Sequence, residues 1–386
     1  MLKKIVTFSL IFLLGFFLVY FLIKFSFTNS SAPAQLIKTS VESIGIKQHQ
    51  VIGFLPFWLI DKADKDYSKY LTTLTYFGLT VTADGSIQKY VNPGEAEPGW
   101  YALTSGKYIP SSTLKNSLLI FSGNPDTINQ LIADPVNNAA TMMAEINPII
   151  QQYNFTDLNL DLENVLPASP SAQQNFTTFV QTVRQNLNPS ITLTLDASPT
   201  DLIKDRLINL KDVEPYVDYI VLMTYDYHYS GSYVTGPVAP TGGAGAYSEF
   251  DTETGIQKAL EVIPSTKIIL GIPLYGYEWE TITSNPRAAV LPGSGIVASN
   301  RRIEEFISQC ATCSAQTETD AQEAYLIYLD QATNTYHQFF YPEAKATQAK
   351  INLASQYHLG GLAFWALGYE GNTILNPVAS YKSALK

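Results

Sequence analysis

A (β/α)8 barrel with a small α+β insertion between strands 7 and 8, preceded by an N-terminal transmembrane helix, is the fold class the sequence predicts, and three observations predict its three parts. Eight short runs of β-branched and aromatic residues recur between amphipathic stretches over about 340 residues, the pattern of a parallel sheet with helices outside. The stretch between the seventh and eighth runs is longer than one helix needs, which predicts a small α+β insertion. An uncharged run near the N-terminus predicts a transmembrane helix ahead of the barrel.

The eight expected strands are Val51–Pro56, Leu74–Leu79, Ser117–Phe121, Asp157–Leu162, Thr192–Asp196, Tyr219–Thr224, Lys267–Pro273 and Gly361–Trp365. Helical patterning separates most of them, as at Ser171–Leu187 and Glu253–Val262. The insertion is placed at 280–340 and holds a strand-like Ala324–Tyr328.

The N-terminal run is 19 residues, Ile5 to Ile23, flanked by Lys3, Lys4 and Lys24. At ~1.5 Å per residue it matches the thickness of a bilayer core, and a cleavable signal has a shorter apolar region of about 7–15 residues. The expected organisation is therefore a signal anchor over 1–28, a linker rich in Ser, Ala, Thr and Lys over 29–49, and a barrel over 50–386. The barrel is expected outside the cell membrane on a single span. The alternative is secretion after cleavage, for which Ala32-Pro33-Ala34 offers an A-x-A-like site.

Composition narrows the function. The chain has 386 residues and a net charge of -10, from 34 acidic and 24 basic residues, so nucleic acid is not an expected partner. Its 24 Tyr supply flat apolar faces with a polar handle, which suit sugars as well as ordinary packing. The two cysteines, Cys310 and Cys313, have no second pair to complete a zinc site. In an exported chain they read as a local disulfide. The histidines at 49, 228, 337 and 358 have no metal-ligand spacing. No metal and no cofactor are expected, and the chain is expected to act as a monomer.

The sharpest chemical signal is Phe155-Thr156-Asp157-Leu158-Asn159-Leu160-Asp161-Leu162-Glu163. Period-two alternation puts Asp157, Asn159, Asp161 and Glu163 on one strand face and the leucines on the other. In a parallel barrel both faces are buried, so stacked carboxylates call for a functional reason. Crowded carboxylates raise one another's pKa, and a Glu at the carboxyl end of a barrel strand stands at the mouth, where a protonated carboxyl can act as an acid.

This strand resembles the Asp-Gly-x-Asp-x-Asp-x-Glu signature of glycoside hydrolase family 18, the chitinase-like barrels. Four further segments are similar to that family in order: Gly53-Phe54-Leu55-Pro56-Phe57-Trp58, Met223-Thr224-Tyr225-Asp226, Gly271-Ile272-Pro273-Leu274-Tyr275-Gly276 and Gly360-Gly361-Leu362-Ala363-Phe364-Trp365. The resemblance spans about Val51 to Leu367. It implies catalytic roles for Glu163 as general acid/base, Asp161 as the group orienting the substrate's acetamido N–H, and Tyr225 as the hydroxyl holding the acetamido carbonyl. It implies substrate contacts from Asp226, Trp365, Asn159, Met223, Tyr275 and Trp58. Ser122 and Asp196 stand at strand ends, where they can support Asp161 and the bound sugar. Trp58, Trp279, Tyr275 and Tyr277 also fall at strand ends, with lining of subsites and core or rim packing as equal alternatives for each.

Two departures stand out. Thr156-Asp157 occupies the place of Asp-Gly, and Asn159 replaces the middle carboxylate, where it is expected to hydrogen-bond Asp161. The Asn, together with Val221–His228 and Gly236–Pro240, looks most like the bacterial peptidoglycan branch that includes spore-cortex-lytic N-acetylglucosaminidases. The implied activity is hydrolysis of β-1,4 bonds next to N-acetylglucosamine, in peptidoglycan or a chitin-like polymer, by a retaining mechanism in which the substrate's own acetamido oxygen attacks. The alternative is a non-catalytic, lectin-like barrel of the same fold. Residue 163 discriminates the two, because family members that only bind usually lack this acid, and here it is present.

Overall fold

The computed structural model describes residues 49–246, 248–310 and 313–385. The expected anchor at Ile5–Ile23 lies outside the described residues. So does the linker, apart from His49.

Fifteen strands are described. The eight that close the barrel are β1 (Gln50–Pro56), β2 (Thr73–Thr80), β5 (Lys115–Ser122), β6 (Asp157–Leu162), β7 (Thr192–Ala197), β8 (Tyr219–Leu222), β9 (Ile268–Pro273) and β15 (Gly361–Trp365). All pair in parallel, in the order β1-β15-β9-β8-β7-β6-β5-β2. A small hairpin, β3 (Tyr90–Asn92) with β4 (Glu95–Ala96), lies between β2 and β5 in the chain.

Alternation along each strand sorts the core into two shells. Leu158, Leu160 and Leu162 of β6 face outward into the cluster that joins the sheet to the helices. The helix Pro135–Tyr153 meets them with Ala139, Met142, Met143, Ile146 and Ile150, a stripe at helical spacing. It starts with Pro135 in its first turn and ends where Asn154 turns left-handed at φ 55°. Asn154 is thus a helix cap, and the Asn154-Phe155-Thr156 triplet runs straight into the barrel. The helix Pro170–Asn186 is capped by Ser169 and buries Phe176, Phe179, Val180 and Val183.

The inner shell is a smaller cluster of Ile52, Phe54, Phe77, Leu119, Tyr219, Val221, Ile269 and Ala363. The polar face of β6 points into this same interior.

One expected strand end is corrected. β8 stops at Leu222 and not at Thr224. Thr224 N–H turns back to the Leu222 carbonyl at 2.9 Å, its hydroxyl donates to the Gly271 carbonyl at 2.9 Å, and Asp226 adopts φ 59°. The motif after β8 is therefore a bent loop that carries its side chains across the barrel mouth.

The insertion is an antiparallel five-stranded sheet, ordered β11-β10-β14-β13-β12. Its strands are β10 (Tyr275–Thr281), β11 (Ile296–Ser299), β12 (Gln316–Glu318), β13 (Glu323–Asp330) and β14 (Thr335–Tyr341). The helix Asn300–Gln309 completes it, and Cys310 and Cys313 form a disulfide. The insertion begins at Tyr275, earlier than the expected 280, because only Leu274 separates β9 from β10. Among the described residues no helix is long and apolar enough to cross a membrane.

Candidate active site

The column on β6 runs from structural to chemical. Asp157, at the bottom, accepts hydrogen bonds from the hydroxyls of Ser117 at 2.5 Å, Thr192 at 2.6 Å and Thr194 at 2.8 Å. Three short donors satisfy it inside the barrel, so this carboxylate is part of the scaffold.

Asn159 forms the next layer. Its amide donates to Asp196 Oδ1 at 2.9 Å, which corrects the expected bond to Asp161. Asn159 is buried below the mouth and does not line the cavity, so it reaches a substrate only through its neighbours.

Asp161 and Glu163 are the top of the column. Asp161 is buried, and its Oδ1 has no hydrogen-bond partner among the described residues. Burial pushes its pKa well above the usual carboxylate range, with repulsion from Asp196 and Glu163 adding to the rise. Asp196 is raised in the same way by burial, with Glu163 and Asp157 adding repulsion while the Asn159 bond pulls it back. Burial and the Asp226 charge raise Glu163. Like charges crowded on one wall cannot all ionise together, so the Asp161–Asp196–Glu163 group keeps a proton at pH values where isolated carboxyls have lost theirs.

Glu163 is placed by its backbone, whose N–H bonds to the Ser122 carbonyl at 2.8 Å and extends the β5–β6 register by one step. Ser122 thus acts through its main chain.

These groups open into a cavity of about 660 Å³ at the carboxyl ends of the strands, the end at which barrels of this class carry their sites. Its walls include Asp161, Glu163, Asp196, Met223, Tyr225, Asp226, Trp58 and Trp365. Burial and the surrounding charges of Asp196, Asp161, Glu163 and Asp226 push the Tyr225 phenol well up, so it stays a neutral donor facing four carboxyls. Trp365 is half-buried and meets Phe54, Phe77 and Trp58 in edge-to-face contacts at 5.9, 5.0 and 6.4 Å between centroids. Those edge contacts fix the indole, the geometry of an aromatic platform.

Three expected wall residues stand elsewhere. Tyr275 is buried behind Asp226 and donates to its Oδ1 at 2.7 Å, while Tyr277 donates to the same oxygen at 3.0 Å. They reach the cavity through Asp226, since the inserted sheet packs against this corner. Trp279 is fully buried, and its indole N–H bonds to the Tyr229 carbonyl at 3.1 Å.

The cavity also has members that the sequence reading missed. Phe77, Phe121, Asn164, Asp201 and Arg206 line it. Asp201 closes a capping box with Ser198, and burial pushes its carboxyl up to about 7. The Ser198-Pro199-Thr200-Asp201 pattern after a strand was a legible signal of that cap. Among the described residues no His/Cys/Asp/Glu group is arranged to hold a metal ion.

The chain has clear relatives. A family model described as Glycosyl hydrolases family 18 matches residues 102–370. A cortical fragment-lytic enzyme of Bacillus subtilis (strain 168) is 27% identical over 322 residues, covering 80% of this chain and 67% of that protein. A cortical fragment-lytic enzyme of Bacillus cereus is 26% identical over 341 residues, covering 86% and 72%. Among solved structures, a GH18 chitinase from Cycas revoluta in complex with (GlcNAc)3 superposes with a TM-score of 0.72 at 22% identity, over 86% of this chain and 99% of that one. The spore cortex-lytic enzyme SleL of Bacillus megaterium QM B1551 gives a TM-score of 0.67 at 20% identity, over 86% and 74%. At these identities the structural likeness speaks for the fold, and the family match speaks for the chemistry.

Proposed function

Since the chain belongs to glycoside hydrolase family 18, we propose that it hydrolyses β-1,4 bonds next to N-acetylglucosamine in peptidoglycan or a chitin-like polymer. The observation that carries the reading is the convergence of Glu163, Asp161, Tyr225 and Asp226 on one cavity with Trp365 in its wall.

The proposed chemistry follows from those positions. Glu163, raised by burial and by Asp226, donates its proton to the glycosidic oxygen as the bond to the leaving sugar breaks. The acetamido oxygen of the substrate attacks the anomeric carbon. Asp161 takes the acetamido N–H on its unpartnered oxygen, and the Tyr225 hydroxyl donates to the acetamido carbonyl. Water then opens the cyclic intermediate, giving its proton to Glu163, with net retention. Asp226, aimed by Tyr275 and Tyr277, faces the reacting sugar.

Peptidoglycan is the favoured polymer. The curated relatives described above are cortical fragment-lytic enzymes, and Asn159 is one of the two departures of this chain from the common signature. Incubation of purified protein with peptidoglycan and with chitin oligomers, with products identified by mass and anomeric NMR, tests the reading. Retained β-products ending in N-acetylglucosamine support it. Inverted products, or a trapped glycosyl-enzyme, overturn the mechanism.

The barrel is further proposed to act outside the cell, held by the Ile5–Ile23 run. The Lys3 and Lys4 flank and the Cys310–Cys313 disulfide support an exported domain. Intact mass of protein extracted from membranes tests this: a start at Met1 is expected, and a mature start at Gln35 contradicts the anchor.

A further inference from the structure

The cavity is strongly acidic, yet it contains a cation. Five carboxyls line it: Asp161, Glu163, Asp196, Asp201 and Asp226. Arg206 is the one basic side chain among its described lining residues. In a chain of net charge -10, Arg206 is therefore the wall position that offers a positive charge to an anionic substituent.

Arg206 is held firmly and is left with an unmet donor. Its loop follows β7, and its backbone carbonyl accepts from the Gln173 amide at 2.6 Å, while its N–H bonds to the Lys204 carbonyl at 2.8 Å. The neighbouring Asp205 carbonyl accepts from Ala168 N–H at 3.0 Å. Two anchors to the segment before and within the helix Pro170–Asn186 therefore fix where the side chain starts. The guanidinium Nε is buried and has no acceptor among the described residues. A guanidinium carries five donors, no acceptor and a permanent charge, and a buried N–H without a partner is costly. Asp201 is the nearby acid that senses this charge; its Oδ2 accepts from the Ser198 N–H at 2.9 Å in the capping box, and among the described residues no hydrogen bond runs from Arg206 to Asp201.

We propose that Arg206 is the specificity-determining residue for an acidic glycan, its guanidinium taking a free carboxylate borne by a sugar next to the N-acetylglucosamine at which the bond is cut. The proposal deepens the glycan-hydrolase reading and rests on it. A carboxylate fits because it matches the planar guanidinium fork with two charge-assisted hydrogen bonds. A substituent attached to the sugar ring fits because Arg206 lies in the wall of the cavity that holds Glu163. The lactyl ether of muramic acid has this chemistry when it carries no peptide, and a neutral chitin oligomer does not.

The test uses the full protein and three substrates. These are N-acetylglucosamine–muramic acid oligomers with the lactyl carboxyl free, the same oligomers with that carboxyl converted to a methylamide, and chitin oligomers. The wild type is expected to favour the free acid over the amide in kcat/KM by about tenfold or more, the scale of one charge-assisted hydrogen bond, with the difference mostly in KM. Arg206→Gln is expected to bring that ratio close to one, and Arg206→Lys to keep part of it. A wild type that treats acid and amide alike overturns the proposal, as does an Arg206→Gln enzyme with the ratio unchanged. Should Arg206→Gln fail to fold, the wild-type ratio alone decides. Hydrolysis of the oligomers with no acid preference separates this failure from that of the hydrolase reading, which would show as no cleavage of any of the three.

Discussion

The Asn159 amide donates to Asp196 Oδ1 at 2.9 Å, on the neighbouring strand, while Asp161 directly above keeps an oxygen without a partner. The bond stabilises Asp196 in its charged form and leaves Asp161 free to face the substrate. Asn159 thus divides two like carboxyls into different tasks without touching the cavity.

Asn159→Ala should lower kcat by roughly tenfold, the cost of one hydrogen bond to a charged group. Asn159→Asp should remain active, with the basic limb of its pH–rate profile moved upward, because a further like charge raises the proton affinity of the group. Initial rates across pH check both. An Ala variant at the wild-type rate would show that Asp196 needs no partner.

Stability should carry the mark of Asp201. Its folded-state pKa of about 7 lies above the ordinary value near 4. Between those values the folded state holds the proton more tightly than the unfolded chain, so stability falls as pH rises through that window and levels off above it. Asp201→Asn should flatten the fall in Tm between pH 5 and about 7. Parallel Tm curves for the two proteins would show that Asp201 ionises at no cost.

The loop after β8 depends on a buried carboxylate outside the cavity. Glu323 accepts from Val238 N–H at 2.7 Å and Ala239 N–H at 2.8 Å, and Lys350, fully buried, donates to the Ala239 carbonyl. Tyr227 N–H in turn bonds to the Val238 carbonyl at 3.0 Å, next to Asp226. Glu323→Ala strips two buried N–H groups of their acceptor and removes one of the two carboxyls, with Asp251, whose charge supports Lys350, so it should cost about 3 kcal/mol in chemical denaturation. A loss below about 1 kcal/mol would show that neither the two amides nor Lys350 depends on this carboxylate.

The barrel was legible because its strands alternate or run apolar where burial demands it. β6 and β15 keep the bounds that their patterns suggest, and the family match and the cortex-lytic relatives agree with the resemblance carried by the strand-end motifs. Glu163, Asp161, Tyr225, Asp226, Trp365, Met223 and Trp58 line one cavity. Partners across the barrel were not legible. Period two puts Asn159 on the inner face but cannot say whether Asp161 or Asp196 receives its amide. Tyr275 lies one residue past Leu274, and only the antiparallel register of the inserted sheet turns it behind Asp226. Arg206 belongs to no periodic element, so its place in the wall depended on how its loop folds.

The central claim is that Glu163 is the acid of a glycosidase, and Glu163→Gln tests it most directly. Gln keeps the shape and the backbone bond to Ser122 but cannot give up a proton. Single-turnover rates on N-acetylglucosamine oligomers, with binding and Tm measured alongside, should show turnover reduced by about a hundredfold or more with binding and fold retained. A folded variant that keeps more than a few per cent of wild-type turnover would contradict the account.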